Sequence, residues 1–441
     1  MSSKLVFSSK PTVTPLKGTL RVPGDKSMSH RAVMFSSLAN GVSKITGLLE
    51  GEDVLATLGA FRAMGVNAIG PKDGELTITG VGLHGLQQPE NGLDMGNSGT
   101  AMRLMCGILA AQNFPSKLIG DESLSGRPMR RVTVPLTSMG ALCATDDDGC
   151  PPIHIRGVEG LQPIDYKLPM ASAQIKSAVM LAGMYADGET SVTEPAPTRD
   201  HTERMLRAYG YACESIKINE LASTITLRGG GELSATNIDV PGDISSAAFF
   251  MVAASIVPGS NLTLKHVGVN PTRTGVIDIL RLMGADIKYL NPRAVGGEPV
   301  ADIKVKYAGL KGIDIDPKYV PLAIDEFPVL CVAAACAQGI TRVTGAEELR
   351  HKESDRISAM VTGLRTLGID VVEHKDGLEI TGGELTGGEV DSFHDHRIAM
   401  AFAIAGASAT GPVVIDKCEN VATSFPNFVA LAALLGLQID V

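Results

Sequence analysis

The amino-acid sequence predicts a mixed α/β fold in two domains, and three observations support this prediction. The chain has 441 residues, more than one ordinary hydrophobic core accommodates. Hydrophobic residues make up 44% and charged residues 20% of the chain, as in folded globular proteins. A pattern of roughly 70 residues also recurs about six times, which indicates a repeated structural unit.

The clearest mark of each repeat is a glycine that follows an apolar segment. Upstream of two of these glycines, apolar residues keep helical spacing: Val276, Ile279, Leu280 and Met283, and then Ile357, Met360, Val361, Leu364 and Leu367. Glycine is favoured just after a helix because that residue commonly takes positive φ. We therefore predict six helices that end at Met64-Gly65, Met139-Gly140, Tyr209-Gly210, Met283-Gly284, Leu367-Gly368 and Leu435-Gly436.

A strand-like run follows each of these glycines. In two repeats it leads through Asp73-Gly74 or Asp376-Gly377 into an alternating segment, which is typical of a β-hairpin. Each repeat is thus predicted to contain a strand, a helix, a second strand, a second helix and a hairpin.

A polar cluster precedes an alanine-rich helix in every repeat. The six clusters are 25–27, 97–100, 172–174, 243–246, 325–326 and 394–397. Equivalent positions in stacked repeats face the same way, so these helix starts could converge on one anion-binding place. Ordinary helix capping is the alternative for any single cluster. Cations in or near the clusters favour anion binding: Lys26, Arg31, Arg103, Arg127, Lys176, Arg199, Lys352, Arg356 and Arg397.

Charge, cysteine content and hydropathy exclude several classes of protein. The net charge of −9 argues against nucleic acid as a main partner. The 7 cysteines form no CxxC pair, so we expect neither a zinc site nor a disulfide framework, and a cytoplasmic location fits. The longest apolar run, 247–257, is too short for a bilayer, and residues 1–10 contain no apolar signal core.

Three segments of the first repeats suit anion binding. In 23–31, Lys26 and Ser27 are predicted at a helix start with Arg31 one turn further, although the spacing is not that of a P-loop. The glycines of 96–100 permit close approach of backbone to a ligand. Arg127, within 124–129, suits bidentate capture of carboxylate or phosphate.

Later segments mix carboxylates with cations. Asp325 and the run 351–356 combine both charges, as proton-transfer sites do, although a structural ion-pair network has the same appearance. The run His394-Asp395-His396-Arg397 could suggest a metal, but no acidic partner accompanies it at ligand spacing, so we predict none.

Taken together, these motifs resemble the enolpyruvyl transferases over essentially the whole chain, and most closely the branch that uses shikimate 3-phosphate. The specific pieces are 24–27 with Arg31, 96–103, 172–176, 199–203, 352–356 and 395–397. The resemblance implies a two-domain inside-out α/β barrel in which each domain contains three βαβαββ repeats. It places 24–239 in one domain and 1–23 with 240–441 in the other, with the active site in the interdomain cleft.

The resemblance also implies the reaction and its residues. The enolpyruvyl group of phosphoenolpyruvate would pass to the 5-hydroxyl of shikimate 3-phosphate, in chorismate and aromatic amino-acid biosynthesis, with no metal or other cofactor. The implied shikimate 3-phosphate site is Lys26, Ser27, Arg31, Ser172, Ala173, Gln174, Arg199, Asp325 and Lys352. The implied phosphoenolpyruvate site is Lys26, Asn97, Gly99, Thr100, Arg127, Gln174, Arg356 and Arg397.

Three residues are expected to carry the chemistry. Asp325 is the expected base for the 5-hydroxyl, and Glu353 the proton carrier to and from C3 of phosphoenolpyruvate. Lys26, with the arginines, is expected to stabilise the departing phosphate.

Some features limit the resemblance. Some relatives carry a lysine before a Phe-Pro pair. In this chain the segment 422–426 contains the Phe-Pro pair but no lysine, and Lys417 is not assumed to replace it. Residues 270–273, with other runs, resemble the class II branch, whose members tend to tolerate glyphosate. We therefore expect tolerance of glyphosate, which is a possible inhibitor. The alternative acceptor is a UDP-N-acetylglucosamine, but the mobile-loop cysteine of that enzyme is absent from 120–127. We expect a monomer without nucleic-acid or membrane partners.

Overall fold

The computed structural model describes residues 5–219 and 222–441, and the chain forms two compact units. The first unit contains residues 1–23, 241–294 and 299–441, and the second contains residues 24–240 and 295–298. The short segment 295–298 is the turn of a hairpin whose strands belong to the first unit. It joins the second unit because the Glu298 carboxylate contacts His201 Nδ1 at 2.8 Å and the Gly297 carbonyl accepts from Arg204.

The first unit begins with β1 (Phe7–Lys10) and β2 (Lys17–Leu20). The second unit then contains α1 (Lys26–Leu38), β3 (Ala39–Thr46), α2 (Glu52–Ala63), β4 (Asn67–Lys72), β5 (Glu75–Val81), β6 (Leu93–Asp94), α3 (Gly99–Leu109), β7 (Pro115–Ile119), α4 (Glu122–Ser125), α5 (Arg130–Ser138), β8 (Leu142–Ala144), β9 (Ile153–Arg156), β10 (Asp165–Lys167), α6 (Ala173–Gly183), β11 (Glu189–Glu194), α7 (His201–Ala208), β12 (Glu214–Lys217), β13 (Ser223–Arg228), β14 (Leu233–Ser234) and β15 (Ile238–Asp239).

The chain then returns to the first unit. This part contains α8 (Ile244–Ile256), β16 (Asn261–Gly268), α9 (Gly275–Leu282), β17 (Asp286–Val295), β18 (Glu298–Lys306), β19 (Asp314–Ile315), α10 (Val320–Ala323), α11 (Phe327–Ala335), β20 (Ile340–Val343), α12 (Arg356–Thr366), β21 (Asp370–His374), β22 (Gly377–Thr381), β23 (Gly388–Asp391), α13 (His396–Gly406), β24 (Val413–Asp416), α14 (Phe428–Leu435) and β25 (Gln438–Asp440).

Within residues 5–219 and 222–441, the strands form six small sheets of one common design, which confirms the predicted repeat. In the sheet β6-β7-β9-β8, the first two strands are parallel and a hairpin completes the sheet antiparallel to the second. The sheets β10-β11-β13-β12 and β19-β20-β22-β21 repeat this order, and each unit contains three sheets.

Three sheets borrow a strand from a distant part of the chain. β1 lies between β24 and β25, and β2 pairs in parallel with β16, so the N-terminal strands complete sheets of the C-terminal half. In the second unit, β14 and β15 pair with β3 and complete its sheet. The repeats are therefore closed by strands that lie far away in sequence.

All six predicted helix ends are confirmed. The glycine after each outer helix (α2, α5, α7, α9, α12 and α14) has positive φ, between 80° and 102°. The predicted apolar stripes are buried, with Val276, Ile279 and Leu280 each 0% exposed.

Both predicted hairpins also form, but their glycines differ in role. Asp73 and Gly74 both have positive φ and make the turn between β4 and β5. Gly377 instead opens β22, and a Cβ there would lie 1.9 Å from the Val343 carbonyl oxygen. The second glycine is required by close packing of neighbouring strands rather than by the turn.

One helix of each repeat is buried at the centre of its unit. In the second unit α3 packs against α1 and α6, and in the first unit α8, α11 and α13 pack against one another. Each of these inner helices is covered by its own sheet, as α6 is by β11 and β13, so the predicted inside-out α/β arrangement is confirmed. Each unit has its own hydrophobic core.

The apolar run 247–257 lies mostly in α8, one of these inner helices. Every residue of α8 is buried, which explains why apolar residues occur around its whole circumference. Among the described residues, no helix has both the length and the hydropathy needed to cross a membrane.

Candidate active site

The six polar clusters lie at the N-termini of the six inner helices. Five of them supply a side-chain cap, from Asp25, Ser98, Ser172, Asp243 and Asp395. The sixth, at α11, has Glu326 at the cap position without a side-chain hydrogen bond to the helix. Capping therefore accounts for one residue in most clusters and leaves the neighbouring side chains to be explained.

In the second unit, side chains from different helix starts meet. Arg103 Nη1 donates to Gln174 Oε1 at 2.7 Å, and Gln174 Nε2 donates to Thr100 Oγ1 at 3.0 Å. These contacts join the first turns of α3 and α6. The predicted convergence of helix starts thus occurs within this unit.

Arg31 connects the start of α1 to the same region. Its guanidinium donates to the Ser27 carbonyl at 2.9 Å, to Ser177 Oγ at 2.9 Å and to Thr202 Oγ1 at 2.7 Å. Burial lowers the pKa of Arg31 to about 10, and the Glu203 carboxylate opposes that shift. The side chain remains a cation at neutral pH.

Two more predicted residues meet at the start of α3. Arg127 Nη2 donates to Asn97 Oδ1 at 2.7 Å, while Asn97 Nδ2 donates to Asp121 at 2.7 Å. A Cβ on Gly99 would lie 2.8 Å from Arg103 Nη1 and 3.4 Å from Arg127 Nη1. The absence of a side chain at Gly99 therefore gives two guanidinium groups access to this helix start.

The other predicted residues of this unit lie at the same helix ends. Lys26 is the first residue of α1, and its Nζ lies 3.0 Å from Asp53 Oδ2. Ser172 caps α6 and Ala173 begins it. Arg199 precedes α7, and its positive charge acts on Arg31 electrostatically.

Lys176, one of the cations near the helix starts, is buried and paired with two carboxylates. Its side chain is 0% exposed, and its Nζ lies 2.6 Å from Glu203 and 3.0 Å from Glu194. The two carboxylates and the hydrogen bonds they accept raise the pKa of Lys176 against the effect of burial. Lys176 therefore forms a buried structural ion cluster, which helical spacing alone did not reveal.

In the first unit, Arg356 organises three carboxylates. Its guanidinium contacts Glu353 at 2.6 Å, Asp395 at 2.8 Å and Asp325 at 3.3 Å. These carboxylates raise the pKa of Arg356 above its ordinary value, although burial opposes them. The pKa of Asp395, although raised by burial, is lowered on balance by Arg356. The structure thus brings together the two predicted proton-transfer residues, Asp325 and Glu353, around one cation.

Arg397 completes this set from the start of α13. Its Nη1 donates to the Asp325 backbone carbonyl at 3.1 Å and lies 3.8 Å from Glu326 Oε1. Buried Glu326 also accepts from Ser245 and lies 3.8 Å from Arg273. The starts of α8, α11 and α13 are therefore linked by a chain of charges. Sequence analysis named Glu326 and Arg397 within polar clusters and Arg273 within a motif, but it did not predict these contacts.

Two further lysines from the sequence analysis, Lys352 and Lys417, also have carboxylate neighbours. Lys352 lies in the loop before α12, with its Nζ 3.8 Å from Glu348. Lys417 Nζ contacts Asp391 at 2.6 Å. Over residues 5–219 and 222–441, no group of three or more His, Cys, Asp and Glu side chains could hold a metal ion.

The structure also bears on the UDP-sugar alternative. The segment that would carry a mobile-loop cysteine contains α4 instead, capped by Asp121. Cys106 is buried within α3, and burial raises its pKa above the ordinary value. A thiol in that environment is not a reactive nucleophile.

Comparison with known proteins identifies this architecture. The fold is shared with the enolpyruvyl transferase NikO from Streptomyces tendae, with a TM-score of 0.78 at 16% identity over 99% of each chain. The family described as EPSP synthase (3-phosphoshikimate 1-carboxyvinyltransferase) matches residues 11–431.

Close relatives lie within that family. The 3-phosphoshikimate 1-carboxyvinyltransferase of Hydrogenovibrio crunogenus is 59% identical over 441 residues, which cover 100% of this chain and 99% of that protein. The solved EPSP synthase of Acinetobacter baumannii has a TM-score of 0.91 at 56% identity, with 99% of both chains covered.

The family match and these relatives place the chain among the carboxyvinyl (enolpyruvyl) transferases. Within this class, the chain belongs to the EPSP synthase family.

Proposed function

We propose that the chain transfers the enolpyruvyl group of phosphoenolpyruvate to the 5-hydroxyl of shikimate 3-phosphate, releasing phosphate. This is the reaction of the shikimate pathway after which the family is named. The observation that carries the proposal is the convergence of three helix starts in each unit, with arginines in one set and three carboxylates around Arg356 in the other. Helix N-termini and guanidinium groups suit two phosphorylated, carboxylated substrates.

The substrate assignments follow the resemblance to the enolpyruvyl transferases. For shikimate 3-phosphate we propose Lys26, Ser27, Arg31, Ser172, Ala173, Gln174, Arg199, Asp325 and Lys352. For phosphoenolpyruvate we propose Lys26, Asn97, Gly99, Thr100, Arg127, Gln174, Arg356 and Arg397. Since Arg356 holds three carboxylates, we propose that it also fixes the positions of Asp325 and Glu353.

The proposed reaction is addition followed by elimination. The 5-hydroxyl oxygen bonds to C2 of phosphoenolpyruvate as Asp325 accepts its proton, and Glu353 protonates C3 to give a tetrahedral intermediate. The bond from C2 to the phosphate oxygen then breaks while Glu353 takes a proton back from C3. Lys26 and the arginines stabilise the negative charge of the departing phosphate.

The decisive assay follows phosphate release from phosphoenolpyruvate with each acceptor separately. We expect release with shikimate 3-phosphate and none with UDP-N-acetylglucosamine. Release with the UDP sugar alone would contradict the proposal and establish the alternative.

Lys26 provides a residue-level test of the same proposal. Lys26→Met should raise the KM for phosphoenolpyruvate and lower kcat, because the charge acts on both the bound substrate and the transition state. An unchanged KM for phosphoenolpyruvate would argue against this role.

Further properties are proposed from the same family membership. We propose a monomer in the cytoplasm, and tolerance of glyphosate as in the class II branch that the sequence resembles. Sedimentation would test the monomer, and strong inhibition by micromolar glyphosate, competitive with phosphoenolpyruvate, would overturn the proposed tolerance.

A further inference from the structure

Arg31 is held by side chains from two helices other than its own. It belongs to α1, but its Nη2 donates to Ser177 on α6 and its Nε donates to Thr202 on α7. Ser177 and Thr202 are both 0% exposed. Their hydroxyl oxygens lie 2.7 Å apart, so they form one polar pair against the guanidinium.

The pattern of these hydrogen bonds leaves a defined edge of Arg31 for a ligand. A guanidinium has five N–H groups. Within the described residues, Thr202 accepts from Nε, the Ser27 carbonyl accepts from one N–H of Nη1, and Ser177 accepts from one N–H of Nη2. One N–H on each terminal nitrogen remains, and this pair can bind a carboxylate or a phosphate through two parallel hydrogen bonds.

A buried ion cluster fixes the helices that carry the two hydroxyls. Lys176 precedes Ser177, and Glu203 follows Thr202. The Lys176 Nζ contacts Glu203 at 2.6 Å, which joins α6 directly to α7, and it also contacts Glu194 at 3.0 Å. The spacing of the two hydroxyls is therefore set by a rigid contact immediately beside them.

We propose that Ser177 and Thr202 are positioning residues that orient the Arg31 guanidinium toward an acidic group, carboxylate or phosphate, of shikimate 3-phosphate. The inference rests on the proposed function, in which Arg31 binds that substrate. A purely structural role would instead make the pair satisfy a buried arginine, with consequences for stability alone. The two roles differ in their kinetic effects.

Thr202→Val keeps the shape of the side chain and removes its hydroxyl. Without this acceptor the guanidinium can rotate, and we expect the KM for shikimate 3-phosphate to rise about tenfold, as expected for a lost hydrogen bond to a charged group. The KM for phosphoenolpyruvate and kcat should each stay within about twofold, because the lost interaction concerns binding of the acceptor. Ser177→Ala should shift the same constant in the same direction.

Two variants provide matched controls. Thr202→Ser restores the hydroxyl and should return the KM for shikimate 3-phosphate close to the wild-type value. Thr193→Val breaks another hydroxyl pair of this unit, Thr193 with Thr224 at 2.9 Å, and should leave every constant unchanged.

The experiment measures these constants by phosphate release, with circular dichroism to establish that each variant is folded. If Thr202→Val does not fold, Ser177→Ala carries the test. A wild-type KM for shikimate 3-phosphate in the folded hydroxyl-deletion variants, or an equal increase in Thr202→Ser, would overturn the positioning role. Absence of activity in the wild-type enzyme would instead overturn the proposed function on which the inference rests.

Discussion

At the scale of single residues, the structure around Arg356 distinguishes a buried cation from two carboxylates that are more exposed. The run 352–356 contains cations and carboxylates, and the structure shows that Arg356 itself is 1% exposed and bound to three carboxylates. Asp325 and Glu353 retain 16% and 26% exposure of their side chains. Asp325 and Glu353 are therefore more exposed than the guanidinium that holds them.

Removing the proposed base should affect turnover more than binding. We expect Asp325→Ala to lower kcat by about 10²- to 10⁴-fold, the usual contribution of a general base, with a much smaller change in either KM. Steady-state phosphate release measures both constants. A near-normal kcat would show that another group accepts the proton of the 5-hydroxyl.

His30 should make the stability of the second unit sensitive to acid. Burial, with help from Lys26 and Arg31, lowers its pKa from 6.5 to about 3. Between these values the unfolded chain binds a proton that the folded chain does not, so stability is lost as the pH falls below 6.5. At pH 5 the loss from this residue should be about 2 kcal/mol, given about 1.4 kcal/mol for each unit of pH.

The measurement compares urea unfolding at pH 7.5 and pH 5. His30→Gln should lose less stability than the wild type between these two values, whereas His154→Gln, at an exposed position on β9, should behave like the wild type. Equal pH dependence of the wild type and His30→Gln would contradict the assignment.

At the scale of elements, helix ends and caps could be predicted because they depend on local sequence. The glycines after the outer helices and the caps of the inner ones follow from φ preferences and hydrogen-bonding groups a few residues apart. The burial of Lys176 could not be predicted, because its partners Glu194 and Glu203 lie on other elements. The same holds for the contact between Glu326 and Arg397, which join α11 to α13.

The start of α3 yields a prediction about phosphoenolpyruvate binding. The methyl group of Gly99→Ala would press against the ends of Arg103 and Arg127, which are flexible enough to move without unfolding the helix. We expect the KM for phosphoenolpyruvate to rise several-fold while the melting temperature stays equal or increases, because alanine favours a helix over glycine by about 1 kcal/mol. An unchanged KM would place the arginines outside the binding site, and a lower melting temperature would indicate a packing defect.

At the scale of the whole molecule, the sequence predicted the number and design of the repeats but not every strand that completes a sheet. Hydrophobic periodicity reports which face of an element is buried, whereas pairing between β1 and β24 joins residues about 400 positions apart in sequence. Such pairing leaves no local signal. The sequence yielded more detailed predictions for the site than for the strand pairing, because the motifs of the site resemble those of a known family.

The separate cores predict that damage in one unit leaves the other intact. Phe7 on β1 is 2% exposed and stacks on Phe428, so Phe7→Ala should destabilise the first unit by about 3–5 kcal/mol. Hydrogen exchange should accelerate in residues 299–441 and stay unchanged in 24–219. Phe35→Ala, which removes a buried ring from the other core, should give the opposite pattern, and acceleration throughout the chain in both variants would contradict independent cores.

The central claim is that this chain joins shikimate 3-phosphate to phosphoenolpyruvate by addition and elimination, with a proton carried to and from C3. The most direct measurement is the mass of the product formed from these two substrates in heavy water. We predict an enolpyruvyl ether of shikimate 3-phosphate that contains deuterium at its methylene carbon, since C3 passes through a methyl group. A product without carbon-bound deuterium, or no enolpyruvyl ether at all, would contradict the account.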